Sequence, residues 1–138
     1  MSNKLPLSFR EVFNYLHKFD FIITGSISLY LQGILNRVPG DIDLITDDYE
    51  MVRYLRSTCV EYTQILNISG HFRFLYQDSI YVDVFIEDID TKTTVEGKIG
   101  AKTYKLSTIK DVYLTKILKK LDTDKTLNDV KSYFLSLN

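Results

Sequence analysis

Apolar positions along this chain recur at two different periods, and the switches between them predict a mixed order of helices and strands. Phe9, Val12, Phe13 and Leu16 recur every three or four residues and mark one face of a helix ending near Lys18. Ser8 and Glu11 precede that face as a capping box, with Ser8 as N-cap. Phe21-Ile22-Ile23 is a short, wholly apolar run and predicts a buried strand. Gly25-Ser26 interrupts it, and Ile27, Leu29, Tyr30, Leu31 and Ile34 predict a second helix starting at Ser26. Pro39-Gly40 punctuates a loop from Arg37 to Gly40.

The alternation in Asp41-Ile42-Asp43-Leu44-Ile45 predicts a strand, after which Asp47 or Asp48 caps a helix through Met51, Val52, Tyr54 and Leu55. Glu61 to Ile68 predicts a further strand. Phe72 to Tyr76 and Ile80 to Phe85 predict a hairpin across Gln77-Asp78-Ser79. Thr94 to Leu106 holds another strand, broken by Gly97 and Gly100, and Ser107 caps a helix through Val112, Leu114, Thr115, Ile117 and Leu118. A last helix is expected from about Thr126 to Leu135. The fold class expected is α+β: a small mixed sheet with helices packed on it and two helices at the C-terminal end.

Composition narrows this picture. A length of 138 residues suits one domain with a real core, and residues 1–138 are read as a single unit. Apolar residues make up 45% and charged residues 25%, which argues against a disordered or fibrous chain. A net charge of −1 argues against a strongly basic nucleic-acid binder. The lysines from Lys110 to Lys131 are interleaved with Asp111, Asp122, Asp124 and Asp129, so a mixed-charge helical surface is expected there. The single cysteine, Cys59, cannot form an internal disulfide and reads as a small hydrophobe. With no signal-like apolar run, the expected location is cytoplasmic, without a membrane.

Three features carry candidate chemistry. Gly25-Ser26 lies between a buried strand and a helix start, where backbone N–H groups can seat phosphate and the Ser26 and Ser28 hydroxyls can add donors. Alone, such a dipeptide serves more often as a turn and cap. Asp41 and Asp43, two apart on a strand, face one side. Paired carboxylates repel and are costly to desolvate, so a cation between them is a common explanation. Oxygen ligands suit Mg²⁺ or Mn²⁺, and the alternative is two solvated aspartates at a strand end. Asp83 sits among Val82, Val84 and Phe85, where a carboxylate must find a partner or face a cleft. His17 reads as a solvated helix-end residue, and nothing marks His71 as a ligand.

Taken together, Gly25-Ser26, Asp41 and Asp43, and Asp83 resemble the nucleotidyltransferase superfamily represented by DNA polymerase beta and the aminoglycoside nucleotidyltransferases. The stretch from Gly25 to Leu44, with Leu31-Gln32-Gly33, Arg37 and Gly40-Asp41-Ile42-Asp43-Leu44, is particularly similar to the abortive-infection type IV toxin nucleotidyltransferases. Lys116, Lys120, Lys125 and Asp129 are candidate counterparts of that family's tail, although Thr126 stands where an acid is expected.

The resemblance implies transfer of a nucleoside monophosphate from an NTP to an acceptor hydroxyl: a tRNA end, a protein side chain or a small molecule. Asp41, Asp43 and Asp83 would be catalytic and would hold Mg²⁺ or Mn²⁺. Gly25, Ser26, Ser28, Arg37 and Lys116 would meet the nucleotide. A toxin role would add an antitoxin or another protein partner. The competing expectation is a non-catalytic NTP-binding or protein-interaction module that keeps the fold. A glycosyltransferase using Asp-x-Asp for a sugar nucleotide would leave Gly25-Ser26 unexplained.

Overall fold

The spacing of Phe9, Val12, Phe13 and Leu16 becomes the buried face of α1 (Leu7–Leu16). The computed structural model describes residues 5–58, 61–64, 70–76 and 80–118. The expected capping box does not form. The Pro6 carbonyl accepts from the N–H groups of Phe9 and Arg10 at 3.0 and 3.1 Å, so the helix begins at Leu7 and Ser8 lies inside its first turn. Next come β1 (Ile22–Thr24) and α2 (Gly25–Leu31). The helix starts one residue before Ser26. Gly33 and Ile34 donate back to the Tyr30 and Leu29 carbonyls, which turns the chain out of the helix and leaves Ile34 beyond it.

β2 (Asp41–Thr46) leads to α3 (Tyr49–Thr58), where Asp48 Oδ1 accepts from the Glu50 N–H at 2.9 Å as an N-cap. β3 (Glu61–Gln64), β4 (His71–Tyr76) and β5 (Ile80–Ile86) follow. The single strand expected between Thr94 and Leu106 is two, β6 (Thr94–Ile99) and β7 (Lys102–Ser107), joined at Gly100, where φ is +62°. Gly97 does not break β6; it lies within it, packed against the Leu106 side chain. α4 (Ile109–Leu118) is capped by Thr108 Oγ1, which accepts from the Asp111 N–H at 3.1 Å, and not by Ser107, the last residue of β7. The helix expected at 126–135 and Cys59 lie outside the described residues.

Among the described residues seven strands form one mixed sheet in the order β3-β4-β5-β2-β1-β7-β6, so the chain is α+β as expected. Its two faces differ in chemistry. Ile23, Ile42, Leu44, Phe72, Phe74, Val82, Val84 and Leu106 are buried in one cluster with the apolar faces of α1, α2 and α3. The other face carries a smaller apolar cluster of Ile22, Ile45 and Ile89 with Phe85 packed on it. Because strand side chains alternate, placing Ile42 and Leu44 in the main core sends Asp41 and Asp43 to that second face. No helix among the described residues is long and apolar enough to cross a membrane.

Candidate active site

Strand register decides which acids meet. β2 and β5 run parallel with Asp43 directly beside Asp83, and β1 pairs antiparallel with β2 so that Thr24 stands beside Asp43. β4 pairs antiparallel with β5 and places Arg73 opposite Asp83 and His71 opposite Phe85. Neighbours across strands share a face. One row across the sheet therefore reads Thr24, Asp43, Asp83, Arg73.

Asp83 is nearly buried, with a side chain 7% exposed. Its Oδ1 accepts from His71 Nε2 at 2.9 Å, and Arg73 Nε lies 3.2 Å from the same oxygen. Arg73 Nη2 also donates to Asp41 Oδ2 at 3.0 Å, so one guanidinium bridges two carboxylates on different strands. The His71 ring stacks on Phe85 at 4.2 Å, and the Arg73 guanidinium lies 4.3 Å over the Tyr81 ring. Burial of a carboxylate in an apolar strand is thus answered from the neighbouring strand by one hydrogen bond, from His71, and one nearby guanidinium charge, on Arg73.

Asp43 is placed by the backbone of the β1–α2 turn. Gly25 sits there at φ +68°, and a β-carbon built on it would come within 2.2 Å of Asp43 Oδ2. Only a residue without a side chain lets the carboxylate lie so close to the main chain. Beside Asp43 opens a cleft of about 440 Å³. Its apolar lining comes from Ile45, Phe85, Val112 and Leu114, and its polar lining includes Thr91, Thr93 and Thr115. Lys92 and Glu87, paired at 2.7 Å, stand on its wall. Gly25 and Asp43 line this cleft, while Asp41 and Asp83 lie beyond it, nearer Arg73.

The other expected nucleotide contacts are placed differently. Ser28 is fully buried, and its hydroxyl donates to the Ser107 carbonyl at 2.7 Å; it ties α2 to β7 and does not itself line the cleft, although Ser107 does. Gln32 Nε2 donates to the same carbonyl at 2.9 Å and to Ser28 Oγ at 3.0 Å. Ser26 is half-buried and Arg37 is exposed on the loop before β2, and neither lines the cleft. Lys116 lies in α4, its side chain outside the described residues.

Charge and donor chemistry decide whether the row suits a divalent cation. Arg73 bridges Asp41 and Asp83, and His71 meets Asp83. The donors of Asp41, Asp43 and Asp83 are all oxygens, which suits Mg²⁺ or Mn²⁺. Against a tight preformed cage, the three are not drawn within mutual ligand distance. Among the described residues the acids whose oxygens all lie within 4.8 Å of one another are Asp47, Asp88 and Asp90, on the exposed surface. Asp88 Oδ1 accepts from Asp90 N in a local turn, and Asp47 Oδ2 accepts from Ile89 N across two loops distant in sequence.

His71 and Arg73 were not singled out by motif, and the hairpin was the signal that could have found them. Counting three residues back from Tyr76 and three on from Ile80 sets Arg73 opposite Asp83. No protein-family model, curated protein or solved structure matches this chain.

Proposed function

We propose that the chain is a metal-dependent nucleotidyltransferase, moving a nucleoside monophosphate from an NTP onto an acceptor hydroxyl. The observation that carries this reading is the set of Asp41, Asp43 and Asp83 on one sheet face, with Asp43 pressed against Gly25 at the edge of the cleft. Asp41, Asp43 and Asp83 would hold Mg²⁺ or Mn²⁺. Such an ion would supply neutralising charge to the triphosphate and to the leaving pyrophosphate.

The chain's own residues have separate tasks in this reading. Ile45, Phe85, Val112 and Leu114 offer the base an apolar surface, and the threonine hydroxyls offer the sugar hydrogen bonds. Lys92 can turn from Glu87 to a phosphate. Gly25, bare of a side chain, lets the Asp43 carboxylate lie against the turn at the cleft edge, where it can face the triphosphate. The acceptor oxygen forms its bond to the α-phosphorus, the bond from that phosphorus to the bridging oxygen breaks, and pyrophosphate departs. Asp83 takes the acceptor's proton. The test is transfer of label from α-labelled NTP, with Mg²⁺ or Mn²⁺, to RNA, to protein including the chain itself, or to small hydroxyl compounds. Asp43→Asn should abolish transfer while the protein stays folded. No NTP binding and no turnover by intact protein would sink the reading.

A second reading is a non-catalytic NTP-binding or protein-interaction module. The Arg73 bridge between Asp41 and Asp83 favours it, because a side chain already balances those acids. It predicts nucleotide binding without pyrophosphate release.

A further inference from the structure

Arg73 holds its two carboxylates unequally. Towards Asp41 it makes a directed hydrogen bond, Nη2 to Oδ2 at 3.0 Å. Towards Asp83 the charges approach to 3.2 Å, but the buried Nε–H is aligned on no acceptor. A misdirected N–H gives up most of a hydrogen bond's strength while still bearing its desolvation cost. Asp83 does not depend on that contact, because His71 Nε2 donates to it at 2.9 Å. The His71 side chain is 14% exposed and clamped by the Phe85 ring. The Arg73 side chain is 39% exposed and lies over Tyr81, itself among the exposed large side chains. Of the two basic side chains beside Asp83, His71 is hydrogen-bonded and clamped while Arg73 has a route to solvent.

From this asymmetry we infer that Arg73 and a divalent cation compete for Asp41 and Asp83, the guanidinium leaving both carboxylates when a cation is shared between them. A cation placed among these acids and a guanidinium bridging two of them repel each other and need the same oxygens. His71 keeps Asp83 oriented through the exchange, so the site is not lost when Arg73 withdraws. Tyr81 favours the bridged position by its contact with the guanidinium. Arg73 is in this account a positioning residue that sets cation affinity. The inference rests on the metal-dependent reading above but not on nucleotide transfer.

The test is Mn²⁺ affinity of the full chain, read by electron paramagnetic resonance without nucleotide, with thermal melts in the presence and absence of Mn²⁺. Arg73→Met should bind Mn²⁺ about tenfold more tightly than wild type. Arg73→Lys keeps the charge but cannot span two carboxylates with a planar fork, and should bind about threefold more tightly. It also carries the test if the methionine variant fails to fold. Arg73→Met should melt below wild type without Mn²⁺, and saturating Mn²⁺ should close the gap. A purely structural arginine gives the same deficit in both conditions and an unchanged Kd, which overturns the proposal. So does weaker binding in folded variants, or no Mn²⁺ binding by any of the proteins. Tighter Mn²⁺ binding together with absent NTP transfer would sink the enzymatic reading and leave the competition standing.

Discussion

Replacing Gly25 by alanine separates the backbone's role at the candidate site from its role in stability, because Gly100 supplies a matched control. Both glycines have nearly the same left-handed conformation, φ +68° and +62°. A β-carbon at Gly100 meets nothing within 4 Å, so Gly100→Ala carries only the conformational cost. That cost is about 1–2 kcal/mol, or a fall in Tm of roughly 3–8 °C for a chain of this size. Gly25→Ala carries the same cost and one more. Its β-carbon would lie 2.2 Å from Asp43 Oδ2 and 3.0 Å from both Asp43 Cβ and Cγ. The oxygen must retreat from 2.2 Å to about the 3.4 Å of ordinary contact, and the arm behind it must follow. A displacement of about 1 Å in a reacting constellation costs on the order of 100-fold in rate, equivalent to about 2.7 kcal/mol of barrier. Initial rates of pyrophosphate release, with calorimetric melting of the same samples, should therefore show two patterns. Gly100→Ala loses several degrees and keeps its rate, whereas Gly25→Ala loses at least as many degrees and about 100-fold in rate. Mn²⁺ affinity should fall only in Gly25→Ala, which gives a readout independent of turnover. If Gly25→Ala keeps its rate and Mn²⁺ affinity within threefold of wild type, the carboxylate's seat against the turn has no functional meaning.

Two other perturbations test the placement of residues away from the acids. Ser28→Ala removes a buried donor from the Ser107 carbonyl while Gln32 remains bonded to it. The expected loss is about 1 kcal/mol in urea unfolding, with the transfer rate within about twofold; a rise in KM for NTP at unchanged stability would instead place Ser28 on the nucleotide. Burial holds the Tyr104 phenol above the usual value of 10.0. A raised folded-state pKa means that the unfolded chain loses this proton first, so its contribution to stability is full below about pH 10 and is lost as pH rises through the folded value. Unfolding midpoints from pH 9 to 11 should fall less steeply for Tyr104→Phe than for wild type, and parallel curves would refute the assignment.

The parts of the fold that were legible in the sequence are those whose signal is local. The apolar face of α1, the run in β1 and the alternation in β2 each need only a few residues to be read. Errors arose where a neighbour competed for the same hydrogen bonds. The Pro6 carbonyl starts α1 before Ser8 can cap it, and Thr108 caps α4 because Ser107 is still in the sheet. The acids follow the same rule. Alternation puts Asp41 and Asp43 on one side, and an aspartate between valines flags Asp83, but nothing local pairs Asp43 with Asp83. That pairing is parallel, between strands separated in sequence by α3, β3 and β4, and no tight turn fixes its register. The hairpin register of β4 and β5 could have been counted, and it changes the electrostatic argument. Paired carboxylates imply a cation, and the hairpin already supplies one in Arg73, from the same side of the sheet. Acids alone therefore overstate the case for a bound metal. What favours a metal-dependent role is the gathering of three oxygen-donor acids from two strands on one sheet face, with Asp43 pressed against Gly25 at the edge of the cleft.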